Sequence, residues 1–165
     1  FTNGVTLSGG VLTVPAGVTS FDVIYPTTTD TLDEGSETTT LTVGGASGTG
    51  TINDPADPTV ASVSDASTVE GSNLTQTVTL SGATPQETTY PYVLADGTAT
   101  EGSDYDNSPT FTNGVTLSGG VLTVPAGVTS FDVIYPTTTD TLDEGSETTT
   151  LTVGGASGTG TINDP

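Results

Sequence analysis

Residues 1–55 and residues 111–165 are the same sequence, letter for letter. Both run from Phe-Thr-Asn-Gly-Val to Thr-Ile-Asn-Asp-Pro, so the period is 110 residues and the 165-residue chain holds one and a half periods. A repeat of this length constrains the fold before any motif does. Each stretch must be compatible with neighbours of its own kind, which is the property of a module from a tandem array.

Within the period, strand patterns dominate. Leu74, Val78 and Leu80 fall on one face of the run 74–80, and three threonines fall on the other. Phe131, Val133 and Tyr135 alternate in the same way, as do Leu151 and Val153 against Thr148, Thr150 and Thr152. Further strands are expected over 60–64, 88–94, 121–124 and 158–162, because Thr and Val suit a half-buried pleated surface. Turn dipeptides and breakers separate these runs: Asn113-Gly114, Ser118-Gly119-Gly120, Pro125-Ala126-Gly127 and Gly154-Gly155. Pro91 inside its run predicts an edge strand or a bulge. Seven or eight short strands in 110 residues predict an all-β, immunoglobulin-like β-sandwich.

The module edge falls at Asn163-Asp164-Pro165 and at its copy Asn53-Asp54-Pro55, followed by a stiff link around 54–58 with two prolines. On this frame, 56–165 is one complete module and 1–55 is the C-terminal half of an identical module before it. The shifted frame, with 1–110 as the folding unit, places the proline-rich link in mid-domain. A half-sandwich exposes its inner face and its strand edges, so 1–55 is expected to be poorly ordered unless something completes it.

Charge narrows the function. The chain has 20 Asp and Glu, six of them in 1–55, and no Lys, Arg, His, Cys, Met or Trp. With no cation to neutralise phosphate, nucleic acid is excluded as a partner. No stretch approaches the length of a transmembrane helix, so membrane insertion is not expected. Without His or Lys there is no Ser-His pair, Schiff base or P-loop. Paired carboxylates leave glycosidase chemistry formally open, but the acids sit in a pattern better explained by metal, and the chain reads as a non-enzyme.

The acids cluster at strand ends. Glu70 stands in Thr68-Val69-Glu70-Gly71-Ser72, and a second cluster runs from Asp96 to Asp106. A third holds Asp140, Asp143, Glu144 and Glu147, repeated as Asp30, Asp33, Glu34 and Glu37. The fourth is Asp164, repeated as Asp54, with Asp57 just beyond the proline. Calcium takes six to eight oxygens from carboxylates, carbonyls and water, and loops at one end of a sandwich can supply them. The spacing excludes an EF-hand. Crowded like charges with no base in the chain favour metal here over a merely solvated loop. Asp22, Glu87 and Asp132 read as ordinary solvated acids.

These residues carry a resemblance. Asp96-Gly97-Thr98-Ala99-Thr100-Glu101-Gly102-Ser103-Asp104-Tyr105 is similar to the Calx-β signature, and so is Asp140-Thr141-Leu142-Asp143-Glu144-Gly145-Ser146-Glu147-Thr148, with Gly160-Thr161-Ile162-Asn163-Asp164 closing the module. The tandem form also resembles the extender repeats of giant bacterial RTX-type adhesins. The resemblance implies a calcium-binding sandwich with ligands at Glu70, Asp104, Asp140, Glu144, Glu147 and Asp164, and at Asp30, Glu34, Glu37 and Asp54 in the preceding copy. The family often closes on a run of Asp. Here Asn163-Asp164-Pro165 offers one carboxylate, with Asp57 as the candidate for another, so the number of ions per module stays open.

The expected function is a calcium-rigidified spacer repeat of a bacterial extracellular adhesin or surface fibre, secreted and displayed at the cell surface. Its partners are identical repeats in the same chain or other copies in a fibre. The alternatives are a glycan- or cell-binding module, with Tyr90, Tyr92 and Tyr105 as an aromatic platform, and a filament subunit whose 1–55 half is completed by another chain.

Overall fold

The computed structural model describes residues 1–32, 34–141 and 145–164. Its strands are β1 (Thr6–Ser8), β2 (Val11–Thr13), β3 (Glu37–Val43), β4 (Ala46–Ile52), β5 (Val60–Val63), β6 (Ala66–Val69), β7 (Asn73–Leu80), β8 (Thr88–Asp96), β9 (Thr110–Phe111), β10 (Thr116–Ser118), β11 (Val121–Val124), β12 (Ser130–Pro136), β13 (Glu147–Val153) and β14 (Ala156–Asn163). There are two compact units, Phe1–Asp30 and Thr31–Pro165. In the first, β1 and β2 form a hairpin; in the second, β3 and β4 form another, and β5 to β14 form a sandwich.

The sandwich has a six-stranded sheet in the order β10-β11-β8-β13-β14-β6 and a four-stranded sheet in the order β5-β7-β12-β9. Its core lies between them. Leu74 and Val78 of β7, Leu122 and Val124 of β11, Phe131, Val133 and Tyr135 of β12, and Leu151 and Val153 of β13 are all buried. The alternation read from the sequence therefore points inward as expected. Burying each such side chain stabilises the fold by about 1.5–3 kcal/mol.

Three details depart from the sequence reading. First, the described residues of 56–165 form ten strand segments rather than seven or eight, partly because the first long strand changes sheets. β5 pairs with β7 in one sheet, and β6 pairs with β14 in the other. The switch at Ser64-Asp65 is tied on both sides: Thr77 N–H donates to Ser64 Oγ at 2.8 Å, and Thr159 N–H donates to Asp65 Oδ1 at 2.7 Å. Gly158 permits this close approach, because a Cβ there would lie 2.5 Å from the Ser64 carbonyl oxygen.

Second, the strand holding Pro91 is not at an edge, since β8 lies between β11 and β13. Proline is tolerated because the ladder changes partner there. Residues 88–91 pair with β11 and residues 92–96 with β13. The Pro91 carbonyl accepts from Gly154 N–H at 3.0 Å, in the β13–β14 turn, so the missing proline N–H faces the point where β13 has ended.

Third, polar groups enter the core. Gln76 and Thr149 are buried on the inner face. Tyr135 Oη donates to Gln76 Oε1 at 3.1 Å and lies 2.7 Å from Thr149 Oγ1, while Gln76 Nε2 donates to the Ser64 carbonyl at 2.9 Å. Among the described residues no buried side-chain polar atom lacks a partner, which is the condition for such a network to be tolerated.

Candidate metal site at one end of the sandwich

Strand direction collects the acidic loops. β6 and β14 run parallel, with Val69 opposite Asn163, so Glu70 and Asp164 leave the sheet together. Glu147 opens β13 opposite Ile162. Pro136 closes β12 opposite Asn73, which brings Thr137 to Asp140 to this end, and Asp96 closes β8 opposite Thr149, which brings the loop from Gly97 onward. Of the predicted ligands, Glu70, Asp104, Asp140, Glu147 and Asp164 therefore share one end of the module. Asp143 and Glu144, with Asp33 of the first copy, lie outside the described residues.

The loops are braced by backbone donors. Glu70 N–H donates to the Asn163 carbonyl at 2.9 Å. At Gly71, φ is +76°, and a Cβ would run into the Thr139 hydroxyl, so this turn needs glycine. Asp164 Oδ2 accepts from Gly145 N–H at 3.0 Å, and Ser146 Oγ donates to Asn163 Oδ1 at 2.8 Å. Asp104 Oδ2 accepts from Thr100 N–H at 2.6 Å, and its carbonyl accepts from Thr138 N–H at 2.9 Å. Asp96 was not singled out as a site residue, yet its Oδ1 accepts both Glu101 N–H at 3.0 Å and Tyr105 Oη at 2.7 Å. Its place at the end of a strand, ahead of the acidic loop, was the available signal.

The carboxylates of Asp96, Asp104 and Asp164 thus act as turn caps. Among the described residues, no group of three or more Asp or Glu is arranged to hold a metal ion.

In the first copy, Asp54 Oδ2 accepts from Glu34 and Gly35 N–H at 2.9 and 3.0 Å, repeating the Asp164 cap. Asp30 belongs to the Phe1–Asp30 unit, and Glu34, Glu37 and Asp54 belong to the other. Asp57 is placed differently. Its Oδ1 accepts from Thr88 Oγ1 at 2.8 Å, at the start of β8 and so at the end of the module away from Asp164.

The link around Asp57 is itself held. Gln86 Nε2 donates to the Pro55 carbonyl at 3.3 Å and Tyr90 Oη to the Pro58 carbonyl at 2.6 Å.

The proposed aromatic platform is absent from the surface, because Tyr90, Tyr92 and Tyr105 are buried. Burial raises all three phenols above their ordinary pKa. The Asp57 charge adds to this at Tyr90, neighbouring Tyr135 and Glu101 at Tyr92, and the Asp96 hydrogen bond and charge at Tyr105. Among the described residues no helix is long and apolar enough to cross a membrane.

No protein-family model matches the chain, and no curated protein matches it. Among solved structures it is similar to CBD12 from CALX1.2, with a TM-score of 0.49 and 18% identity over 66% of this chain. The chain spans 45% of that structure. It is also similar to the sixth cohesin from Acetivibrio cellulolyticus scaffoldin B, solved in complex with a mutant Cel5 dockerin. There the TM-score is 0.28 and the identity 13%, over 67% of this chain and 100% of that one. Neither likeness bears on function at these scores.

Proposed function

We propose that this chain is part of a spacer array of a bacterial extracellular adhesin or surface fibre. In this reading 56–165 is one module, 1–55 is the second half of the module before it, and the role is mechanical rather than catalytic. The observation that carries it is the course of the chain. Val60 begins β5 beside Gly154, at the β13–β14 turn, whereas Asn163 ends β14 beside Glu70 at the opposite end. A module with its connections at opposite ends extends an array. The link before it is fastened to Gln86, Thr88 and Tyr90 rather than swinging loose.

Calcium enters as the stabiliser of the acidic end. Support for it is the convergence of Glu70, Asp104, Asp140, Glu147 and Asp164 on one end in a chain with no basic side chain. An ion held at about 100 times its dissociation constant adds roughly 2.7 kcal/mol. Thermal melts in millimolar calcium and in excess chelator test this, with a lower midpoint expected on chelation. Identical melts would remove calcium from the proposal. Small-angle scattering on chains of increasing repeat number tests the spacer itself. The expected result is a maximum dimension growing linearly with repeat number, and compact particles would overturn it.

A further inference from the structure

We infer that the outer face of the six-stranded sheet, β10-β11-β8-β13-β14-β6, is the surface on which a second copy of this chain docks. Residues 56–165 carry 14 of the chain's 20 acids, and none of them occupies an outward position on that sheet. Tyr92, Leu94, Leu122, Leu151, Val153 and Ile162 are buried. Their alternate neighbours therefore face outward, and every such position is Thr, Ser, Val, Ala, Pro or Asn. Asp96 and Glu147 stand opposite the buried Thr149 and Ile162, on the core side at strand ends. Asp65 lies at the β6 edge, where its Oδ1 accepts from Thr159 N–H. The other sheet is different, because Asp132 stands outward on β12 and accepts from Thr77 Oγ1.

The same face holds the three large apolar side chains that stand exposed among the described residues of 56–165. They are Val69, Val93 and Val121, which are 46%, 55% and 41% exposed. Its hydroxyls are in part already paired. Thr152 Oγ1 and Ser157 Oγ lie 2.8 Å apart, and Thr148 Oγ1 lies 3.3 Å from Thr98 Oγ1. Covering paired hydroxyls costs less than covering free ones.

Charge selects the occupant. A basic partner is drawn to the acidic loops, whereas a second copy of this chain has no Lys, Arg or His to meet them. Two copies that met through acid-bearing surfaces would set like charges together. The uncharged face is where they can close, sheet against sheet, with the valines in the seam. A two-fold contact of this kind uses a side of the module and not its ends. It stands whether or not the modules form an end-to-end spacer.

Sedimentation velocity on the full chain tests this. A monomer–dimer equilibrium is expected. It should shift toward dimer as salt rises from about 0.01 to about 1 M and the screening length falls from about 30 to about 3 Å. The Val93→Asp, Thr150→Asp double variant is expected to stay monomeric while keeping its β-type circular dichroism and melting midpoint. Val121→Asp, at a second point of the face, should act in the same direction. Thr75→Asp adds the same charge to the outer face of the other sheet, and Ile24→Asp adds it to an exposed apolar position in residues 1–55. Both are expected to dimerise as the parent does. A chain that is monomeric at every concentration and salt overturns the proposal. So does a dimer that survives the double variant, that salt weakens, or that Thr75→Asp or Ile24→Asp dissolves equally.

Discussion

Residues 1–55 and 111–165 put one sequence in two settings, and the contrast separates what 55 residues encode alone from what they need a partner to express. The hairpins are the same in both. β1 and β2 pair as β10 and β11 do, from Thr6↔Thr13 and Thr116↔Thr123 onward. Asn3 and Asn113 both adopt positive φ and donate to the carbonyls of Ser20 and Ser130 at 2.8 and 2.7 Å. What differs depends on 56–110. Ser130–Pro136 is a strand held between β7 and β9, whereas residues 20–26, the same letters, form none. Turn chemistry is local and survives isolation, while the inner strand and the core are tertiary.

Alkali is expected to break the comparison most completely. Burial raises the phenols of Tyr90, Tyr92, Tyr105 and Tyr135 in the complete module. Their stabilising contribution is present below the unfolded phenol pKa of about 10 and is lost as pH rises through it toward the folded values. With no Lys, Arg or Cys, no side chain other than tyrosine titrates in that range. Phenolate absorbance and β-type circular dichroism are expected to change together above about pH 10, and ionisation of all four without unfolding would show the burial to be wrong.

Next in size is a matched pair of truncations. Leu151→Ala is expected to cost about 2–5 kcal/mol, and Leu41→Ala to stay within about 0.5 kcal/mol, both by denaturant unfolding. A large loss at Leu41 would mean that the first half is covered in solution.

A second pair probes close approach. Gly158→Ala forces a Cβ against the Ser64 carbonyl, with an expected cost of about 1–3 kcal/mol. Gly48 has nothing within 4 Å of such a Cβ, so Gly48→Ala should leave the unfolding midpoint in place. The smallest effect sharpens the local side of the comparison. Asn3→Ala and Asn113→Ala should each weaken their own turn by about 1 kcal/mol, read from amide exchange, and Asn113→Ala alone should shift the global midpoint.

Alternation made much of this fold legible in advance. Leu74, Phe131, Val133, Leu151 and Val153 all face inward where a period of two places them. Gln76 was not legible, because a polar letter on an inward position carries no sign of the Ser64 carbonyl and Tyr135 hydroxyl that satisfy it. Nor was the central place of Pro91, since periodicity assigns faces and not neighbours. At the acidic end, the sequence marks which loops are charged, and strand direction then brings Glu70 beside Asp164 across 94 residues of chain. How these carboxylates are engaged depends on backbone donors such as Gly145 N–H and Thr100 N–H, and no spacing rule contains those.

The parallel pairing of β6 with β14 has a consequence for load. The chain enters below β5 and leaves above β14, so tension along the proposed array would draw these two neighbouring strands in opposite directions along their length. The four rungs from Ala66↔Gly160 to Val69↔Asn163 then resist in shear, all strained together, rather than peeling open one after another.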